Sequence, residues 1–530
     1  MRKLIACTFF CFIISQPLPA GEYLVTVHGL GSRRAEFPVI EQIDTLSIMV
    51  ADSALLRKLA HEGFRYGIVD VNPRDKFYLF IWGESESRQS AAQFGTILGC
   101  YGRRFLLRTE EKHISALNNQ RVKLSRLLFK PLVPGNNRPG WREQVRIARD
   151  PSIENMVATV SEDSIRFFIK TLQSFYTRYS TSEENKTQVC PWVYERFKSY
   201  NCDSVYFHTF SESYGPNIIG IRRGTTDSSY TRYCILGGHV DVQPGAGRAA
   251  GADDNATGVA VMLEVARVLK DSAFHNTIQF HAWNAEEQGM VGSSVFAQYA
   301  RSNNHEIIGG ALNFDMIGCT VHGPNVEITY NADIAGCEDF ALKFFADVTG
   351  AYTGLNYVMR HTTGIATDHN SFWREGYIAA GGVENFYHLN ASYHQWWDTL
   401  DCPAGLNNTR HVAEVAKAAL ASIAVLAIPA HNTAVTQKQA AVSGKYPCIM
   451  FNKAAGACVI SQAAAGGKGA AYVRIFDAQG CLIRSIQCPS HASQIIWDLC
   501  NQERKRVSPG IYLIALCTGR TMIPAKVMVH

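Results

Sequence analysis

The stretch YCILGGHVDVQPGAGRAAGADDNATGVAVMLEVARVLKD, residues 233–271, decides the fold. It opens on "YCILGGHV", a continuous apolar run of strand length that suits a strand covered on both faces. It closes on "NATGVAVMLEVARVLKD", where Val259, Met262, Leu263, Ala266 and Leu269 share one helical face. Between the two, His239, Asp241, Asp253 and Asp254 crowd a glycine-rich loop. Further apolar strands follow at "NTIQFHAWN" (276–284) and "GGALNFDMIG" (309–318), with helical patterns between. This alternation predicts an α/β domain over residues 150–430, its mostly parallel sheet covered by helices on both faces.

Open α/β sheets bind ligands at the carboxyl ends of their strands. The polar residues of this chain gather there. His239 and Asp241 end the first strand, Asp253 and Asp254 precede the next helix, and Glu286 and Glu287 follow "FHAWNA". Asp315 ends "ALNF", and His394 lies in "NASYHQWWDTLD" (390–401). Taken singly, "DD" before a helix is an ordinary N-cap pair and "EE" after a strand a solvated helix start. Brought into one cleft, these carboxylates would raise one another's pKa unless a cation neutralised them. Two imidazoles with carboxylates and no cysteine suit zinc or, less selectively, cobalt or manganese. Three carboxylates and two histidines are enough for two metals if one carboxylate bridges.

The flanking regions read differently. In residues 21–135, "LSIMVA", "DSALLRKLAHEG" and "YGIVDV" are echoed by "RFLLRT", "EEKHISALNNQR" and "VKLSRLLF". Each set reads strand, helix, strand, with Asp52 and Thr109 as N-caps, and two such halves predict one ferredoxin-like α/β domain. Residues 102–149 are rich in lysine and arginine, either as a solvated face or as a surface complementary to an acidic cleft. A Pro/Gly-rich linker, "PLVPGNNRPGW" (131–141), follows. The region is expected either to cover the catalytic cleft like a propeptide or to be a permanent accessory domain. Residues 446–530 carry short strands separated by turns and predict a C-terminal β-sandwich.

Residues 1–20 have the basic start, short apolar run and small-residue end of a signal peptide. The apolar run falls short of the roughly 20 residues that span a bilayer. The expectation is a soluble exported protein, secreted or held at the cell surface, with no membrane span. Of 15 cysteines, those at 7 and 11 leave with the leader, and an oxidising destination makes disulfides plausible. Cys190 and Cys202 flank a helical segment and could tie its ends. The net charge of +5 is mild for 530 residues, and no nucleic-acid-binding motif is present.

The order "GGHVD", "GADDNATG", "NAEEQGMVGS", "NFDMIG", "YHQWWDTLD" resembles the zinc aminopeptidases of peptidase family M28 over roughly residues 155–430. The resemblance implies two co-catalytic zinc ions and peptide substrates with a free N-terminus. It implies that His239, Asp253 and Asp315 bind one zinc, and that Asp253, Glu287 and His394 bind the other, with Asp253 bridging. Glu286 would be the general base, and Asp241 would orient His239. A cis peptide between Asp253 and Asp254 is implied as well. Some members place an oxyanion-stabilising tyrosine just before a "DH" pair, but "HTTGIATDH" (361–369) has none. Asp368, His369 and His281 are expected to be structural. The alternatives are a related carboxypeptidase or glutaminyl cyclase, or an inactive peptidase-like binding ectodomain. The tail resembles FlgD-type β-sandwiches of secreted bacterial proteins, some of which engage the secretion machinery as sorting signals.

Overall fold

The computed structural model describes residues 21–132, 149–430 and much of 448–529, apart from short breaks. The expected leader and most of the expected linker at 131–141 lie outside the described residues. The chain divides into two compact units, Met1–Ala430 and His431–His530.

The first unit begins with two four-stranded antiparallel sheets of one design. One sheet holds β1 (Glu22–His28), β2 (Val39–Ile43), β3 (Leu46–Asp52) and β4 (Tyr66–Val71) in the order β2-β3-β1-β4. The other holds β5 (Phe77–Trp82), β6 (Thr96–Tyr101), β7 (Arg104–Thr109) and β8 (Lys123–Arg126) in the order β6-β7-β5-β8. The expected strand–helix–strand units are present as β3 to β4 and β7 to β8. Each pair is split, however, by a strand running antiparallel between its members, β1 in one sheet and β5 in the other. The single expected domain of two halves is therefore corrected to two whole sheets.

The inserted strands are apolar on both faces, which explains the arrangement. Leu24, Tyr78 and Phe80 enter an apolar layer shared by the two sheets. Tyr23, Val25 and Val27 pack instead with Leu56 and Leu59 of one helix, and Leu79 and Ile81 with Ile114 and Leu117 of another. Asp52 caps its helix, accepting from Leu55 N at 2.8 Å. Thr109 does not: the N-cap position there is Glu110, and the Thr109 hydroxyl donates to the Phe94 carbonyl at 2.6 Å.

Eight strands form the main sheet: β9 (Ser204–His208), β10 (Asn217–Arg222), β11 (Arg232–His239), β12 (Thr277–Trp283), β13 (Glu306–Asp315), β14 (Val326–Tyr330), β15 (Tyr357–His361) and β16 (Ala379–Val383). Their order is β15-β14-β16-β13-β11-β12-β10-β9. The centre, β12-β11-β13-β16, is parallel, whereas β9 and β10 add antiparallel at one edge and β14 pairs antiparallel with β16. Along β11, Cys234 and Leu236 join the core with the helices Thr257–Leu269 and Thr409–Ala427. Tyr233 and Ile235 point the other way, to Trp283, Phe296 and Phe372. Both faces are thus covered. Cys190 and Cys202 are both free thiols, so the expected tie between them is absent.

The second unit contains two antiparallel sheets. One orders β17 (Cys448–Asn452), β18 (Ala457–Ser461) and β21 (Gln494–Trp497) as β17-β18-β21. The other orders β19 (Ala471–Phe476), β20 (Leu482–Cys488), β22 (Gly510–Thr518) and β23 (Thr521–Val529) as β20-β19-β22-β23. No helix among the described residues is long and apolar enough to cross a membrane.

Candidate metal centre

Parallel β11 and β13 bring His239 and Asp315 to the same end of the sheet. The loop before the helix Thr257–Leu269 then returns over that end. It is pinned there by Asn255, whose Nδ2 donates to the Phe314 carbonyl at 3.0 Å and whose Oδ1 accepts from Gly258 N at 2.9 Å. A Cβ at position 258 would sit 2.1 Å from the Phe314 carbonyl oxygen, so the close approach requires glycine.

Two groups of donors result. His239, Asp254 and Asp315 form one, and Asp254, Glu287 and His394 form the other. His239 Nε2 lies 3.2 Å from Asp315 Oδ1 and 3.3 Å from Asp254 Oδ1. His394 Nε2 lies 3.3 Å from Asp254 Oδ2 and 3.0 Å from Glu287 Oε2. Asp254 therefore turns one oxygen to each histidine. All five side chains are buried.

This corrects the expected role of Asp253 by one residue. Asp253 Oδ1 accepts from Gly318 N at 2.8 Å and Oδ2 from Asn390 Nδ2 at 2.8 Å, so its carboxylate is used up away from both histidines. The cis peptide is displaced by the same single residue and joins Asp254 to Asn255.

Second partners orient both rings. Nδ1 of His239 lies 3.2 Å from the Asp241 carbonyl oxygen and 3.6 Å from its carboxylate. Asp241 also accepts from the backbone N–H groups of Glu286 and Glu287, each at 3.2 Å, and so ties the histidine to the acidic pair. Nδ1 of His394 lies 2.9 Å from the carbonyl oxygen of Asn118, in the N-terminal region. Engaging Nδ1 leaves Nε2 as the ligand atom in both rings, the usual arrangement at metal-bound histidine. Two buried atoms, His394 Nε2 and Glu287 Oε1, lack a well-formed hydrogen bond among the described residues. Donors that converge without satisfying one another fit a cation, and all-oxygen and imidazole donors fit zinc.

The electrostatics agree. Burial alone would raise the Asp254 carboxyl, but His239 and His394 reverse this and hold it well below the usual range. Burial would lower His394, yet Glu287 and Asp254 push it up to about 10. Glu286 belongs to neither group. Burial drives it well above an ordinary glutamate, helped by Asp315 and Glu287 and opposed by His239. Burial would also lower Lys123, but Asp315, Asp254, Glu286 and Glu287 together keep it above its usual value.

Several residues here were not singled out from the sequence. Asp398 accepts from the backbone N–H groups of Asp253 (3.1 Å) and Asp254 (3.0 Å). Arg178, fully buried, donates to the carbonyls of Val240, Ala250 and Gly251 at 2.9, 2.6 and 2.8 Å, bracing the loop that carries the ligands. Tyr393 stacks on His394 with ring centroids 3.7 Å apart. Asp398 lies within a stretch that carried the family resemblance and Arg178 within the wider region it covers, but nothing in their spacing marks them as clamps. Asp368, His369 and His281 are buried and stand outside both donor groups.

Residues 217–420 match peptidase family M28. Leucine aminopeptidase 1 of Ajellomyces capsulatus is 30% identical over 260 residues, which cover 45% of this chain and 65% of that protein. The chain thus spans just under two thirds of that relative's length. The crystal structure of the Legionella pneumophila LapA aminopeptidase superposes with a TM-score of 0.54 at 19% identity, covering 66% of this chain and 98% of that one. LapB from the same organism gives 0.51 at 17% identity, covering 67% and 100%. The fold is shared with both. Residues 217–420 carry the match to peptidase family M28, and all the strand-end donors of both groups lie within them.

Proposed function

We propose that the chain is an exported two-zinc aminopeptidase that removes N-terminal residues from peptides. The observation that carries this reading is the pair of three-donor groups sharing Asp254. His239, Asp254 and Asp315 would hold one zinc, and Asp254, Glu287 and His394 the other. When bound, two dications acidify water and polarise the scissile carbonyl. The chain's own residues supply the proton handling. Glu286, buried beside both groups but a member of neither, takes a proton from the attacking water and returns it to the departing amine. Asp241 fixes the ring of His239 and, through two backbone N–H groups, the placement of Glu286 and Glu287. The name of the matched relative, a leucine aminopeptidase, supports a free N-terminus as the feature recognised. A full set of donors together with Glu286 and Asp241 argues against an inactive binding domain.

The test is a panel of free and N-acetylated aminoacyl amides, given to the folded chain intact and after limited proteolysis, with and without a chelator. Hydrolysis should require the free amine, cease with the chelator and return with zinc or cobalt. Full activity in metal-free protein, or equal cleavage of acetylated substrates, would overturn the reading.

A further inference from the structure

The metal centre is closed by a short piece of the N-terminal region. Its central cavity is about 10 Å³ and is lined by Asp254, Glu286, Glu287, Asp315 and His394 on one side and by Asn118 and Val122–Leu124 on the other. Such a volume holds about one water molecule and no substrate.

The closure has a specific chemistry. In β8 and the residue before it, Val122 and Leu124 turn into their own region's core, and the alternation of the strand directs Lys123 the opposite way. The Lys123 ammonium lies 3.5 Å from Asp315 Oδ2 and 5.7 Å from the centre of the Tyr393 ring, with only 6% of its side chain exposed. A lysine on an edge strand ordinarily stands in solvent and discourages pairing. This one is buried among four carboxylates.

The neighbouring residues fasten it. Asn118 holds His394 through its carbonyl and donates its side-chain amide to the Glu287 carbonyl. Arg126 Nε donates to the Gln288 carbonyl at 2.8 Å. Gly289, at φ +99°, makes room for Arg126, since a Cβ there would lie 2.7 Å from Arg126 Cγ. Each of the residues from Glu287 to Gly289 thus meets this segment.

We propose that Asn118 and residues 122–126 act as an internal inhibitor whose Lys123 ammonium supplies, in the latent enzyme, cationic charge that metal ions would otherwise supply. The inference rests on the metallo-aminopeptidase reading. A peptide cannot reach the centre while the segment is seated. A fixed positive charge beside Asp315 also repels an incoming dication, so seating weakens metal binding. Linkage makes this reciprocal: metal loading weakens seating by the same factor. Activation is then withdrawal of this segment, favoured by zinc.

The test uses the full-length chain. Zinc affinity is measured by competition with a chromophoric chelator for wild type, Lys123→Met and Lys123→Arg. Peptidase activity is measured for wild type and for the double variant Asn118→Ala/Arg126→Ala, which loosens the segment while leaving the Lys123 ammonium in place. Lys123→Met should bind zinc tighter by on the order of tenfold or more, because a like charge a few ångströms away is removed. Lys123→Arg should bind as wild type does. The double variant should raise kcat/KM by about tenfold or more if the closed state prevails, since the competent fraction scales the apparent constant. If Lys123→Met does not fold, the double variant still decides. Unchanged zinc affinity in Lys123→Met, or unchanged or lower kcat/KM in the double variant, would overturn the inhibitor. A wild type that binds two zinc ions and hydrolyses free aminoacyl amides at full rate would overturn it alone, leaving the peptidase reading intact. Failure of every form to bind zinc would overturn both.

Discussion

Asp254 divides its two oxygens between His239 and His394, whereas its neighbour Asp253 spends both on Gly318 and Asn390. Adjacent aspartates should therefore respond differently to the same change. Asp254→Asn is expected to lose metal from both positions, because it alone belongs to both donor groups. Asp253→Asn should keep both metals and lose stability by about 1–3 kcal/mol, the cost of disturbing buried hydrogen bonds. Metal analysis and denaturant unfolding of the two variants check this, and equal metal loss would refute it. Glu286 and Glu287 form a second contrasting pair. Glu286→Gln keeps its shape but not its basicity, so turnover should fall by about 10²–10⁴-fold with metal retained. Glu287→Gln should lose metal instead. The sequence placed the acidic cluster correctly because residues at strand ends must share one edge of the sheet. It could not choose between Asp253 and Asp254. That choice depends on which carboxylate finds Gly318 and Asn390, partners 65 and 137 residues away.

At the scale of elements, the loop that carries Asp254 is held from two sides. Asp398 takes its N–H groups and Arg178 takes the carbonyls before it. Arg178→Met should cost about 3–5 kcal/mol, since several buried carbonyls and nearby carboxylates lose their partner at once. Denaturant unfolding measures this, and a loss below about 1 kcal/mol would assign the bracing elsewhere. The N-terminal sheets have a comparable anchor in Asp70. Burial would raise its carboxyl, but bonds from Lys76, Tyr78, the Val71 N–H and Arg108 hold it down to about 2. A carboxylate depressed in the folded state stabilises above its unfolded pKa, about 3.9. That contribution fades as pH falls through the folded value. The stability gap between wild type and Asp70→Asn should thus be constant above about pH 5 and narrow steadily below pH 4. A gap that widens on acidification would contradict this. The alternation that revealed the main sheet is local, which is why β11, β12 and β13 were legible. The split of β3 from β4 by β1 was not, because strand order is set by pairings between residues distant in sequence.

At the scale of the whole molecule, every residue of the metal centre, of its clamps and of the proposed inhibitor belongs to the unit ending at Ala430. The end of that unit is set by packing as well as by sequence position. The helix Thr409–Ala427 is buried along most of its length and shares a core with the helix Thr257–Leu269. Its last residue and those after it still bind back: Asn276 N donates to Ala427 O at 2.9 Å, His275 N to Ile428 O at 2.8 Å and Ala430 N to Ala273 O at 2.8 Å. A chain stopped after Ala430 keeps all of these bonds, and one stopped before Thr409 loses a whole face of the core. The first should fold, bind zinc and match the full-length kcat/KM within about twofold, as expected for a compact unit with its own core. The second should not accumulate as folded protein. If the C-terminal sheets serve sorting, the first truncation should also change how much protein is secreted or retained at the surface while leaving the kinetics alone. Zinc content, kcat/KM and cell fractionation of the two truncations decide the matter. A chain ending at Ala430 that folds and binds zinc but falls well below the full-length kcat/KM would show that the C-terminal unit takes part in catalysis.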